Sequence, residues 1–241
     1  MKHLRHGAPH RGHVSHGPLN HADPRSAGRR PLRSRDLTVF KNLAAALARG
    51  GITPDGISFA SILFGCAAGI ALAATAHSDG WTLRACWLAA AAFIQLRLIA
   101  NLLDGMVAVE GAKGGPTGDL WNEAPDRVSD AATLIGAGFA AGSHPWLGFG
   151  AALMAVFVAY TRALGASVGA GQIFLGPQAK PHRMAVLTIT CVITAAFPTY
   201  SSIVGKTPLP AVWIALLIVI VGGAITAARR LTRAAAFLRA R

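Results

Sequence analysis

The sequence predicts an all-α membrane protein, a bundle of six transmembrane helices with an N-terminal amphipathic helix at the interface. Three observations support this fold class. Hydrophobic residues make up 53% of the 241 positions and charged residues only 14%, which is too few charges to cover a soluble domain of this size. Six apolar runs are long enough, or nearly so, to cross a hydrocarbon layer of about 30 Å. Lys and Arg residues lie mostly on one side of those runs.

The predicted spans follow one another with short connections. A crossing needs about 20 apolar residues, so the third and fifth runs are close to the lower length limit. The six runs are residues 57–76, 81–109, 128–142, 146–168, 184–199 and 208–228. Six spans place both termini on one side of the membrane, together with the connections 110–127 and 169–183.

Basic residues fix the predicted orientation. Most of the 23 Lys and Arg residues fall in the termini and in those two connections, and cytoplasmic loops are the ones enriched in such residues. We therefore expect both termini to be cytoplasmic, in a bacterial plasma membrane. The net charge of +13 then indicates contact with anionic membrane lipids rather than with nucleic acid.

Two segments precede the first span. Residues 1–35 carry six of the nine histidines among Arg, Gly and Pro, a composition that buries no core and predicts a disordered basic cytoplasmic tail. Apolar residues at helical spacing follow, with Asp36 as a candidate N-cap, and they predict a helix lying flat on the cytoplasmic interface. The chain thus divides into a tail, 1–35, and a membrane domain, 36–241.

The acidic residues are concentrated in one stretch, because six of the ten Asp and Glu lie between residues 101 and 130. Asn101 and Asp104 share a face at the cytoplasmic end of the second span. After a loop rich in Gly and Pro, a new helix near residue 118 presents a second oxygen-bearing set. That set is Asp119, Asn122, Glu123, Asp126 and Asp130.

Carboxylates that face one another from two antiparallel helices would repel, so the cluster indicates a divalent cation such as Mg²⁺, Mn²⁺ or Ca²⁺. The alternative is a solvated acidic face. A cation transporter is disfavoured, because its acids would lie at the membrane midplane and these lie at one interface.

A second, basic cluster is predicted on the same side. Arg162 lies within an apolar run, and Lys180, His182 and Arg183 follow in a loop bounded by Pro and Gly. Together they suggest a pocket for a phosphate of the acceptor or the lipid. Ordinary anchoring of the helix end by positive charge is the alternative, above all for Lys180.

The acidic stretch resembles the signature of the integral membrane CDP-alcohol phosphatidyltransferases. That signature is Asp, two residues, Asp-Gly, two residues, Ala-Arg, eight residues, Gly, three residues, Asp, three residues and Asp. Its spacing holds throughout, and the matching residues are Asp104, Gly105, Ala108, Gly118 and Asp126. The resemblance covers roughly residues 36–228.

The resemblance implies an enzyme of phospholipid biosynthesis that transfers a phosphatidyl group from a CDP-linked lipid, such as CDP-diacylglycerol, to an acceptor alcohol and releases CMP. It implies one or two Mg²⁺ or Mn²⁺ ions held by Asp104 and Asp126, with Asp126 also the general base. It further implies that Gly105, Ala108 and Gly118 line the site of the cytidine diphosphate. The acceptor alcohol is left open, and so is a homodimer.

Three positions depart from the signature: Asn101 and Asn122 replace aspartates, and Val109 replaces the arginine. The two amides keep oxygen ligands but remove two negative charges. We expect Glu123, or else Asp119 or Asp130, to restore charge one turn away from the expected ligands. Arg97 is a candidate substitute for the missing arginine. The departures also fit an alternative, a catalytically silent or regulatory homologue that keeps the fold.

Overall fold

The structure, a computed structural model, describes residues 38–110, 118–197 and 210–240. This part of the chain is all-helical, as predicted, and contains no strand. Its helices are α1 (Thr38–Arg49), α2 (Pro54–Ala74), α3 (Gly80–Glu110), α4 (Gly118–Gly138), α5 (Pro145–Ser167), α6 (Lys180–Ala196) and α7 (Ala211–Arg239), and a 3-10 turn (Thr75–His77) extends α2. The predicted tail, the N-cap at Asp36 and the loop before residue 118 lie outside the described residues.

Four helical segments are long and apolar enough to cross a membrane, which supports an integral membrane protein. They are Pro54–His77, Gly80–Ala108, Pro145–Ser167 and Ala211–Arg239. The third and fifth predicted spans correspond to α4 and α6, which do not qualify: α6 has 17 residues, and α4 starts ten residues before the predicted span and carries the acidic residues. The number of six spans therefore stays a prediction.

Helix α1 packs against the C-terminal part of α3, where the acidic stretch begins. Its Ala44 is fully buried in a cluster with Leu103 and Val107 of α3, and Phe40 and Leu47 pack against the same cluster. The helix thus exists where the apolar spacing predicts it, while its place at a membrane interface remains a prediction.

Local sequence explains how α2 begins. The Thr53 hydroxyl accepts a hydrogen bond from the Gly56 amide at 3.2 Å, which satisfies one of the free amides of the first turn. Pro54 occupies the first helical position, where a missing N–H costs nothing. The chain is thereby turned into the bundle just before the polar face of α2 that meets the candidate site.

Close backbone contact holds α2 against α4. A methyl group added to Gly69 would lie 2.4 Å from the Ala132 carbonyl oxygen, and one added to Gly136 would lie 2.3 Å from the Gly69 backbone. Such small residues let two membrane helices approach without intervening side chains. Because α2 also packs along α3, the acid-bearing parts of α3 and α4 are brought to the same part of the bundle.

Candidate functional site

Asp104 lies on α3 and is almost completely buried, with 3% of the residue exposed. One carboxylate oxygen accepts a hydrogen bond from the Ser58 hydroxyl of α2 at 2.8 Å. The other accepts the backbone amide of Gly105 at 2.5 Å. A buried carboxylate is stable only with such donors or with a cation, and both donors are neutral, so these two contacts bring no positive charge to Asp104.

Asp126 lies on α4, where side chains from two other helices meet it. Its Oδ1 accepts hydrogen bonds from the Asn101 amide of α3 and from Lys180 Nζ of α6, the latter at 2.5 Å. Asp126 and Asp104 are close enough for their charges to repel. The predicted meeting of α3 and α4 through their acids is therefore observed, and α6 joins it through Lys180.

The Asn101 side chain is used on one side only. Its amide nitrogen donates to Asp126, whereas its carbonyl oxygen is buried and has no hydrogen-bond partner among the described residues. Leaving a buried acceptor unsatisfied costs roughly 1–3 kcal/mol. An oxygen held in this way has the capacity to accept a further donor or a cation.

Asp130, one turn beyond Asp126, is the centre of a buried ion cluster. Its two oxygens accept hydrogen bonds from Arg97 of α3 and Arg183 of α6, and the Ser129 hydroxyl accepts one from Arg97 Nε at 2.7 Å. Arg97 is fully buried and Asp130 is 1% exposed. This cluster ties α3, α4 and α6 together directly behind Asp126.

Glu123 faces outward from the same helix. Its carboxylate lies 2.9 Å from Arg127 and 2.5 Å from Arg162 of α5, and 47% of its side chain is exposed. Partial burial works to raise the pKa of Glu123, but the Arg127 and Arg162 guanidinium groups outweigh it and hold that pKa below its usual value. Glu123 is thus ionised and neutralised by two arginines.

Lys180 is charge-paired in an enclosed place. Only 19% of its side chain is exposed, and this burial lowers the pKa of Lys180 below its usual value although Asp126 opposes the shift. Its neighbour His182 is exposed on the first turn of α6. Arg183 is turned inward to Asp130, so the basic residues predicted as one pocket divide between three different contacts.

The structure therefore brings together part of the predicted site. Asp104, Asp126 and Asn101 converge, Gly105 is buried beside Asp104, and α4 starts at Gly118 as expected. The side chains of Val109, Asp119 and Asn122 are not among those described. In the described ranges no group of three or more His, Cys, Asp or Glu is placed to hold a metal ion, and the predicted ligand set stays a prediction.

Sequence reasoning did not assign partners to three residues that shape the site. Ser58 on α2 holds Asp104, Arg127 lies 3.7 Å from Asp126, and Asp130 pairs with the two buried arginines. The signal for Asp130 and Arg97 was present, since ionisable residues inside predicted spans usually pair with one another. The sequence did not indicate which cation faced which acid.

Comparison with known proteins identifies the fold. No protein-family model matches the chain, and no curated protein matches it. Among solved structures, the phosphatidylinositol phosphate synthase of Mycobacterium tuberculosis with CDP-DAG bound matches with a TM-score of 0.64 at 20% identity, over 82% of this chain and 94% of that one. Its complex with manganese and citrate gives 0.64 at 20% identity, over 81% and 88%. Its apo form gives 0.60 at 21% identity, over 80% and 94%.

Proposed function

We propose that this chain transfers a phosphatidyl or related phospho group from a CDP-linked lipid, such as CDP-diacylglycerol, to an acceptor alcohol and releases CMP, as a CDP-alcohol phosphatidyltransferase. The observation that carries the proposal is the convergence of Asp104 and Asp126, the two signature acids that are retained, from α3 and α4. A shared fold with a synthase whose structure contains CDP-DAG supports the same choice of substrate.

The residues present fit a divalent metal. Asp104 and Asp126 offer carboxylate oxygens, and Asn101 offers a buried carbonyl oxygen that lacks a partner among the described residues. Oxygen ligands of this kind suit Mg²⁺ and Mn²⁺, and a structural neighbour was solved with manganese. A bound cation would neutralise the diphosphate of the CDP-linked lipid. The predicted ligand roles of Asn122 and Glu123 belong to the same proposal.

Asp126 is the proposed general base, which takes the proton of the acceptor hydroxyl. Three donors or cations touch its carboxylate, from Asn101, Lys180 and Arg127. They fix its position, and among the described residues Oδ2 contacts Arg127 at 3.7 Å. Arg162, Lys180, His182 and Arg183 are proposed to receive the phosphate of the acceptor or lipid. Of these, Arg162 contacts Glu123 and Lys180 contacts Asp126.

The CDP group is proposed to lie beside Gly105, Ala108 and Gly118, where small residues leave room for it. Six spans, cytoplasmic termini, contact with anionic membrane lipids and a bacterial plasma membrane complete the proposal. The silent-homologue alternative is not favoured, because both retained acids stay at one site and Asn101 keeps an oxygen there.

The test compares CMP release by purified protein and by Asp126→Asn, given CDP-diacylglycerol, Mn²⁺ and a mixture of acceptor alcohols. The amide keeps the shape of the side chain but accepts no proton, so we expect release to fall by at least about 100-fold. Asp79→Asn is the control, since it makes the same chemical change at an exposed position just before α3 begins. Release by Asp126→Asn within a few fold of the parent would remove Asp126 from the role of base.

A further inference from the structure

The candidate site has fewer negative charges than its signature predicts. Two of the four aspartate positions are Asn101 and Asn122, and Glu123 is neutralised by two arginines. Asp130 is paired with Arg97 and Arg183. Among the acids whose side chains the structure describes on α3 and α4, Asp104 and Asp126 are then left to balance a cation. Two carboxylates carry enough negative charge for one divalent ion at most, whereas a second ion would leave at least two positive charges uncompensated by these acids in a partly buried site.

A positive charge already contacts one of these two acids. Lys180 Nζ is 2.5 Å from Asp126 Oδ1, and its side chain reaches that oxygen from α6. The same oxygen accepts the Asn101 amide. Asp126 Oδ1 therefore already accepts two donors from the protein, whereas Asn101 Oδ1 has no hydrogen-bond partner among the described residues.

We propose that this centre takes a single divalent cation and that the Lys180 ammonium replaces the second. Lys180 is then a positioning residue: it holds the Asp126 carboxylate in place and supplies one positive charge to the site without any metal. This inference rests on the proposed function, because it specifies how the same site is charged.

The alternative is that the positive charge of Lys180 only anchors the start of α6 at the membrane surface. That role predicts no effect on the number of metal ions, because any basic residue near the helix start would serve. The two interpretations therefore separate on metal stoichiometry, which does not depend on turnover.

The experiment measures Mn²⁺ binding to the purified full-length protein by calorimetry and by electron paramagnetic resonance, with Mn²⁺ alone as the probe. We expect one Mn²⁺ per chain and the six-line spectrum of an isolated ion. Lys180→Met should bind its first Mn²⁺ about tenfold more tightly, because a like charge beside the ion is removed. Adding Asn101→Asp to Lys180→Met should give two ions per chain and a spin-coupled spectrum.

Two matched variants complete the design. Lys180→Arg keeps the positive charge and should keep one ion, and Arg162→Met removes a charge that contacts Glu123 rather than Asp126 and should also keep one ion. Two Mn²⁺ per chain in the parent protein, together with CMP release, would overturn the inference and leave the proposed function standing. No Mn²⁺ binding by folded parent protein would overturn both, and unchanged affinity in Lys180→Met would overturn the role of Lys180 alone.

Discussion

Replacing Asp130 by asparagine should destabilise the protein more than any exposed charge change. The Asp130 carboxylate is the shared partner of Arg97 and Arg183, and all three side chains are between 0 and 3% exposed. The amide is nearly isosteric with the carboxylate but carries no charge. Asp130→Asn therefore leaves two buried guanidinium groups without a counter-ion.

The expected magnitude follows from that burial. Breaking a buried ion pair by removing one partner costs about 3–5 kcal/mol, because the remaining charge stays desolvated. Two guanidinium groups depend on this one carboxylate, and each already has a buried nitrogen without a partner among the described residues. For a chain of this length, a loss of that size lowers the thermal midpoint by roughly 6–20 °C.

Thermal unfolding in detergent, followed by circular dichroism, measures the effect. Arg127→Gln is the matched control, because it breaks a partly exposed pair with Glu123 and a 3.7 Å contact with Asp126, for which the expected cost is about 0–1 kcal/mol. Asp130→Leu combined with Arg97→Met and Arg183→Met should recover most of the lost stability, since a buried ion cluster replaced by apolar groups is often neutral. A thermal midpoint for Asp130→Asn equal to that of Arg127→Gln would show that the Asp130 carboxylate does not balance the two buried arginines.

Two further predictions concern helix α2 and its neighbours. Ser58→Ala removes the hydroxyl that holds Asp104 and should weaken Mn²⁺ binding, measured by calorimetry, by about tenfold. Ser61→Ala is the control and should leave the affinity unchanged, because the Ser61 hydroxyl donates to a backbone carbonyl instead. Equal effects of the two changes would tell against the role of Ser58. Gly136→Ala forces a methyl group against the α2 backbone and should lower the free energy of unfolding by about 1–3 kcal/mol. Gly150→Ala is the control and should leave the thermal midpoint nearly unchanged, because its added methyl would meet a side chain at 3.4 Å. Similar thermal midpoints for the two variants would contradict the close packing of α2 and α4.

The helical segments were predictable because hydropathy and turn signals act locally. The apolar run that starts near residue 57 and the Pro54 signal place α2 well, and the start of α4 near residue 118 was expected from the glycine-rich loop before it. The extent of α4 as a spanning element was not predictable in the same way, because its first half carries the site acids and its apolar part is short.

The sequence predicted which helices carry the site residues, but not which side chains contact one another. Helical spacing put Asn101 and Asp104 on one face and Asp126 on another helix near them, which the structure shows. Contacts such as Lys180 with Asp126 depend on how α6 packs against α4, 54 residues apart in sequence. Residue spacing within one helix carries no information on such long-range pairs. Which acid each basic residue contacts could therefore be learned only from the three-dimensional arrangement.

The most direct test of the proposed phosphatidyl transfer is a product analysis with the parent protein. Purified protein in lipid nanodiscs is incubated with CDP-diacylglycerol, Mn²⁺ and a panel of alcohols that includes glycerol phosphate, inositol, inositol phosphate and serine, and both CMP and the lipid product are followed by mass spectrometry. We predict CMP in equal amount with one new phosphodiester lipid, dependent on Mn²⁺ and on one class of acceptor. Folded protein that binds CDP-diacylglycerol but releases no CMP with any acceptor would contradict it.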